Sequence, residues 1–117
     1  MKKIYISGPI THNVDYLKQF ADCEDFLLRE GQYDPINPAR KVKEIIDGYG
    51  IINPVWDDYL KVSLTLLADK NCTDIILIKG WHKSRGAIME LMNAAQLGYD
   101  VHLFIKTEHS SWRSKLT

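Results

Sequence analysis

The sequence lacks features that are typical of several common functional classes, and the first of these features is a net charge. Its 117 residues carry fifteen basic and fifteen acidic side chains, so the formal net charge is zero. Binding to nucleic acid without sequence preference, or to an anionic membrane surface, depends on an excess of positive charge. The charge balance therefore argues against a nucleic-acid partner and against a membrane partner.

Cysteines and long apolar runs are also scarce. Cys23 and Cys72 lie far apart without metal-ligand spacing, and they are interpreted as buried thiols rather than a disulfide. His82 has no second ligand at a suitable spacing, so no metal site is predicted. No apolar run approaches the roughly 20 residues of a membrane-spanning helix. The run before Gly8 is too short for a signal peptide, so a cytoplasmic location is expected.

Apolar periodicity predicts strands that alternate with helices. Strands are expected at 2–7, 33–40, 73–80 and 99–106, and the second of these is broken by two prolines and runs into a loop. Helices are expected at 11–31, 54–71 and 84–98. Residues 41–53 fit a short helix or a lid. Parallel strands need helical crossovers. The predicted fold is a three-layer α/β sandwich, flavodoxin-like or Rossmann-like, with a short parallel sheet of about four to five strands and helices on both faces.

The domain is expected to span residues 1–106, followed by a polar tail at 107–117. In sheets of this kind, ligands bind beyond the carboxyl ends of the strands, where the strand order reverses. The loops expected to meet there are 8–13, 37–56 and 80–86.

Glu90 is a lone acid near the start of the last predicted helix. Helical side chains lean over the preceding turn, and the residues four and three positions before Glu90 are Gly86 and Ala87. Open space is therefore expected in front of the carboxylate. The positive end of the helix dipole is expected to keep it ionised, which suits a nucleophile. The alternative is an exposed acid that only stabilises the helix dipole.

Other loop residues offer binding chemistry, each with a simpler alternative. Ser84 and Arg85, at the start of the same helix, suit a phosphate, although Ser84 is equally a common helix cap. Gly8 permits close approach of a ligand or forms a tight turn. Trp56 and Trp81 can stack on a base or pack in the core.

Four segments together resemble a small family that is common in phage and prophage genomes. They are "KIYISGPIT" near the start, "INPA" at 36–39, "WDDYL" at 56–60 and "DIILIKGWHKSRGAIMELMNAAQLG" at 74–98. That family is similar to the nucleoside 2-deoxyribosyltransferases and the 2′-deoxynucleoside 5′-monophosphate N-glycosidases. The resemblance extends to about residue 105.

The resemblance implies an enzyme of nucleotide metabolism that breaks the N-glycosidic bond of a deoxynucleoside or its monophosphate, as a hydrolase or as a transferase. Ser84, Gly86 and Glu90 keep the family spacing, and Glu90 would attack C1′ of the deoxyribose. The other residues that the family motifs assign to the site are Tyr5, Ser7, Gly8, Pro9, Asn37, Trp56, Trp81 and Arg85. The resemblance also implies a homo-oligomer that needs neither a metal nor an organic cofactor.

One family residue is missing from the pattern. The family has an acid where this chain has Ser63, so the proton for the leaving base must come from elsewhere, with Asp58 or Asp69 as substitutes. The departure leaves two alternatives open. One is a nucleotide-binding or sequestering module without catalysis, and the other is a flavodoxin-like interaction domain without a ligand. The sequence does not distinguish the base or the acceptor.

Overall fold

Five strands form one sheet in the computed structural model, which describes residues 1–50 and 55–116, apart from the side chains of Lys43, Ile46 and Trp56. The strands are β1 (Lys3–Ser7), β2 (Asp34–Ile36), β3 (Cys72–Leu77), β4 (Asp100–Lys106) and β5 (Ser111–Lys115). The helices are α1 (Tyr16–Glu30), α2 (Pro38–Gly48), α3 (Trp56–Leu67) and α4 (Arg85–Gln96), with a short 3₁₀ turn at Trp81–Lys83 before α4. None of the helices in these ranges is long and apolar enough to cross a membrane.

The sheet order is β2-β1-β3-β4-β5, and its first four strands are parallel. The chain moves outward from β1 to β2, then crosses back to place β3 on the other side of β1. The strand order therefore reverses between β1 and β3, which is where such folds form a ligand crevice. The predicted three-layer α/β fold is confirmed.

Alternation along β1 divides the core into two layers. Ile4 and Ile6 face α1 and pack against Phe20, Cys23 and Leu27. Because successive strand residues point to opposite faces, Tyr5 and Ser7 face the other layer. That second layer is built from residues of β1, α3, β3 and α4, among them Tyr5, Leu67, Ile75, Leu77 and Ala94.

The helix boundaries refine the sequence expectations. The first helix begins at Tyr16 rather than near residue 11, because the Asn13 amide donates to Pro9 O at 2.9 Å and to Gln19 Oε1 at 2.8 Å and thereby organises the preceding turn. Gly31 ends α1 with a φ of 74°, as predicted. The ambiguous segment is helical through Gly48, and residues 51–54 lie outside the described ranges.

The strand β5 is not predicted by the sequence, which places residues 107–117 in a polar tail. It pairs antiparallel with β4 through a turn in which Thr107 N–H donates to Ser110 O at 2.8 Å. Arg113 on β5 reaches Glu30 at 2.7 Å and Gln32 at 2.6 Å. An edge strand held by polar contacts carries no apolar alternation, so its sequence does not reveal it.

A polar network is buried on the α1 face of the sheet. His102 is fully buried, with Nε2 at 2.6 Å from Asp74 Oδ2 and Nδ1 at 3.2 Å from Arg113 Nη1. A guanidinium can only donate, so Nδ1 of His102 accepts and the Nε2–H donates to Asp74. Tyr33 donates to the same carboxylate at 3.0 Å. The network joins β3, β4 and β5 to the end of α1.

Candidate functional site

A cavity of about 680 Å³ opens at the carboxyl end of the sheet, beside the point where the strand order reverses. It is bounded by the loop after β1, one side of α1, the start of α2, α3 and the start of α4. Its polar lining comes from Tyr5, Thr11, His12, Tyr16, Tyr59, Ser63, Lys83, Ser84, Arg85 and Glu90. The volume suits a small organic ligand of nucleotide size.

Glu90 reaches the cavity from the inward face of α4. Ala87, Glu90 and Ala94 are the buried residues of this helix, at the three- and four-residue spacing of one helical face. Only 6% of Glu90 is exposed. The small residues that precede it leave room for its carboxylate at the cavity wall, as the sequence predicts, whereas an exposed, dipole-stabilising acid does not match this burial.

Two side chains of β1 hold the Glu90 carboxylate. Tyr5 donates its hydroxyl hydrogen to Oε2, and Ser7 donates to Oε1 at 2.9 Å. Both lie on the face of β1 that points toward α4, so strand alternation alone brings them to the same acid. Each carboxylate oxygen therefore has a hydroxyl donor while one side of the group lines the cavity.

Burial controls the protonation of Glu90. It raises the pKa of the Glu90 carboxyl to about 7, against the opposing effect of hydrogen bonds from Tyr5 and Ser7 and of the nearby Ser63 hydroxyl. The expectation that the helix dipole keeps this acid ionised needs correction. Glu90 lies beyond the first turn of α4, where the dipole fades, and desolvation dominates. At neutral pH both protonation states are populated, so the group can act as a nucleophile or carry a proton.

Burial also raises the pKa of Tyr5 well above its ordinary value, and the charge of Glu90 raises it further. Tyr5 consequently stays a neutral hydroxyl donor across the pH range in which Glu90 titrates.

The amino end of α4 makes one wall of the cavity cationic. Ser84 caps the helix by accepting a hydrogen bond from Ala87 N–H at 3.2 Å. Lys83, Arg85 and Gly86 line the cavity beside it. The helix-cap interpretation of Ser84 is therefore correct, and its hydroxyl hydrogen remains available to a ligand. A phosphate placed here would meet two cationic side chains and the positive end of the helix.

Gly8 and Pro9 also line the cavity. A Cβ added to Gly8 would lie 2.2 Å from Cγ1 of Ile78, closer than any real contact. Glycine is therefore required by the packing of the β1 end against Ile78. The packing of the protein's own core therefore accounts for the glycine at position 8, and the Gly8 backbone still borders the cavity.

Four predicted site residues lie outside the cavity lining. Ser7 holds the Glu90 carboxylate, and the other three have structural partners. Asp58 accepts from Val55 N–H at 2.9 Å and so stabilises the start of α3. Asn37 caps α2 through Ala39 N–H at 3.1 Å. Trp81 packs against the core layer that contains α3 and α4. The prediction for Trp56 concerns a side chain outside the described part of the structure.

Asp69, the other suggested substitute for the missing acid, lies at the opposite end of the sheet. Its carboxylate pairs with Lys3 at the start of β1 at 3.0 Å. Ser63, by contrast, lines the cavity and influences the pKa of both Tyr5 and Glu90. The position at which the resemblance implies an acid is thus next to Glu90, although it holds a hydroxyl.

Sequence reasoning missed several cavity residues. His12 belongs to a loop that is irregular and gives no periodic signal. Tyr16 and Phe20 are one helical turn apart on α1, and Tyr59 and Ser63 are one turn apart on α3. That spacing is a readable signal, because pairs four apart share a helix face. Within the described residues, no group of three or more His, Cys, Asp or Glu side chains is placed to hold a metal ion.

Comparison with known proteins gives one result. Residues 2–103 match the model of a family described as "Domain of unknown function (DUF4406)". No curated protein and no solved structure matches the chain.

Proposed function

We propose that this chain, which belongs to that family, cleaves the N-glycosidic bond of deoxynucleoside monophosphates. The family description assigns no activity, so the proposal is based on the residues of the cavity. The observation that carries the proposal is the buried carboxylate of Glu90, held by Tyr5 and Ser7 and facing the cavity at the strand-order reversal. The resemblance to nucleoside 2-deoxyribosyltransferases supports the same assignment.

In the proposed first step, an oxygen of ionised Glu90 attacks C1′ of the deoxyribose. The C1′–N bond breaks through an oxocarbenium-like state, its electron pair leaves with the base, and a glycosyl ester forms on Glu90. Water then attacks C1′ and frees the carboxylate. Attack by a second base instead of water would make the protein a transferase.

Substrate selection is proposed to rest on the cationic wall. Lys83, Arg85 and the Ser84 hydroxyl offer charge and donors for a 5′-phosphate. A monophosphate is therefore preferred to a free nucleoside. Tyr16 and Tyr59 also line the cavity, and they offer aromatic surface to the sugar and base.

The test is to incubate the protein with each deoxynucleoside monophosphate and to measure free base by chromatography. Glu90→Gln keeps the shape of the side chain but removes the nucleophile, and base release should fall at least about 10³-fold. Asp74→Asn is the matched control, because Asp74 is also a buried, hydrogen-bonded carboxylate but does not line the cavity. Release that survives Glu90→Gln excludes the mechanism.

Ser63 at the expected acid position favours a second candidate, a binding module of the same fold without catalysis. That candidate predicts no base release and a rise in melting temperature when a deoxynucleotide is added. The homo-oligomer implied by the resemblance remains a separate proposal, and light scattering coupled to size-exclusion chromatography tests it.

A further inference from the structure

When the N-glycosidic bond of a nucleotide breaks, the base is a poor leaving group unless it is protonated as it departs. Among the described residues that line the cavity, Glu90 is the sole carboxylic acid. It cannot supply the proton while it attacks C1′ as an anion. Residues 51–54 are Ile, Ile, Asn and Pro, so they add no titratable side chain. A proton donor of another type is therefore required.

His12 occupies a loop position that is unusual for its residue type. Its φ is +60°, the only positive value outside glycine in the described ranges. This region favours glycine, and a residue with a Cβ persists there only when its surroundings hold it. Such conformations are concentrated at active sites and ligand clamps.

The surroundings of His12 do hold it. Asn13 N–H donates to Ile10 O at 3.2 Å, which closes a tight turn with His12 at its third position. The Asn13 side chain fixes the turn on both sides, since it donates to Pro9 O and accepts from Asp15 N–H at 3.2 Å. His12 is solvent-exposed and lines the same cavity as Glu90.

Among the titratable side chains of the described lining, one besides Glu90 belongs to a residue type suited to proton exchange, namely His12. These titratable side chains are Tyr5, His12, Tyr16, Tyr59, Lys83, Arg85 and Glu90. Phenols, ammonium groups and guanidinium groups ordinarily hold their protons well above neutral pH, whereas an imidazole exchanges its proton near neutrality.

We propose that His12 is the general acid that protonates the leaving base, an assignment that rests on the proposed function of Glu90. As the C1′–N bond breaks, imidazolium N–H transfers its proton to a ring nitrogen of the base. The bond's electron pair stays with that base, which departs neutral. His12, now neutral, then takes a proton from the water that attacks C1′, so imidazolium and carboxylate are both regenerated.

The experiment compares two leaving groups. One is the deoxynucleoside monophosphate that the wild type cleaves best. The other is the N7-methylated monophosphate of deoxyguanosine, whose base already carries a positive charge and leaves neutral without a proton. His12→Gln and His12→Gly are assayed on both, with the spontaneous loss of the methylated base subtracted. His12→Gly also suits the positive φ, and unfolding curves verify that it folds.

His12 as general acid predicts a kcat loss of about 10²–10⁴-fold on the ordinary substrate for both variants. On the methylated substrate we expect a loss of less than about tenfold, with little change in KM on either. Equal losses on both substrates, or no loss on either, overturn the assignment. So does a wild type that cleaves only the methylated substrate.

Failure of the proposed function gives a different result. In that case the wild type releases base from neither substrate, or Glu90→Gln cleaves the methylated substrate as fast as the wild type. Either result removes the role of Glu90, and the role of His12 with it.

Discussion

At the scale of single residues, two opposing influences set the pKa of Glu90. Burial alone would keep its carboxyl protonated, while the hydroxyls of Tyr5, Ser7 and Ser63 draw its pKa back to about 7. A nucleophile must be ionised, so these hydroxyls determine what fraction of the protein is reactive at a given pH. Their number and placement matter as much as the acid itself.

Tyr5→Phe should move the reactive pH range upward. The substitution keeps the ring in its buried place but removes one hydrogen bond to the carboxylate, so the pKa of Glu90 should rise further, by about one unit. The ascending limb of the pH–rate profile should move to higher pH by the same amount. A ¹³C NMR titration of labelled glutamate measures the pKa directly.

Tyr33→Phe provides the comparison for Tyr5→Phe. It removes a similar hydrogen bond from Asp74, a buried carboxylate on the other face of the sheet. The profile of Tyr33→Phe should match that of the wild type. A Tyr5→Phe profile that stays in place, or moves to lower pH, contradicts the role given to this hydroxyl.

At the scale of elements, the sequence predicts what periodicity can carry. The core strands and the helix around Glu90 follow from apolar spacing, and Gly31 marks the end of α1 correctly. The strand β5 and the start of α1 do not follow from it, because polar tertiary contacts of Arg113 and Asn13 decide them.

The candidate site shows the same division between local pattern and tertiary contact. The small residues before Glu90 predict open space at its carboxylate. The raised pKa and the conformation of His12 depend on neighbours that the sequence does not place. The sequence predicts a site role for Asp58, but its carboxylate accepts from Val55 N–H and stabilises the start of α3.

Arg113 should be the residue that holds β5 in place. Its guanidinium contacts Glu30, Gln32 and His102 and lies 5.2 Å from the ring centre of Tyr33. Arg113→Ala leaves the buried His102 and the partly buried Glu30 without their donor and should destabilise the fold by about 2 kcal/mol. Urea unfolding measures the loss, and hydrogen exchange should show weaker protection of β5 and β4.

Lys115→Ala is the matched change on the same strand. Lys115 pairs with Asp100 at 3.2 Å, but both side chains are half exposed. Such pairs contribute about 1 kcal/mol at most. If the two variants lose equal stability, β5 is held by backbone pairing and not by Arg113.

At the scale of the whole molecule, two buried carboxylates place the pH of maximum stability in the acidic range. Burial acts to raise the pKa of Asp74, but hydrogen bonds from Thr73, His102 and Tyr33 outweigh it and hold the pKa below the ordinary 3.8. Its contribution is present above that value and lost as the pH falls below it. Glu90 acts in the opposite sense, since its folded pKa is raised from 4.5 to about 7.

The wild type should therefore lose stability as the pH rises from 4.5 to 7, by roughly 3 kcal/mol. Glu90→Gln should abolish this loss, so that it is more stable than the wild type at pH 8 and similar at pH 5. Urea unfolding at both values checks the expectation. A wild type and a Glu90→Gln variant with the same pH slope would show that Glu90 titrates normally in the fold.

The two outermost strands also bear on how the molecule behaves in a crowded solution. On one side the sheet stops at a segment of three residues whose middle member, Pro35, has no amide hydrogen. On the other side it stops at a strand carrying Arg113 and Lys115. Neither border offers a long, uncharged template on which a foreign chain could extend the sheet. Concentrated solutions should therefore resist fibre formation, even though the central strands β1 and β3 are rich in isoleucine and leucine.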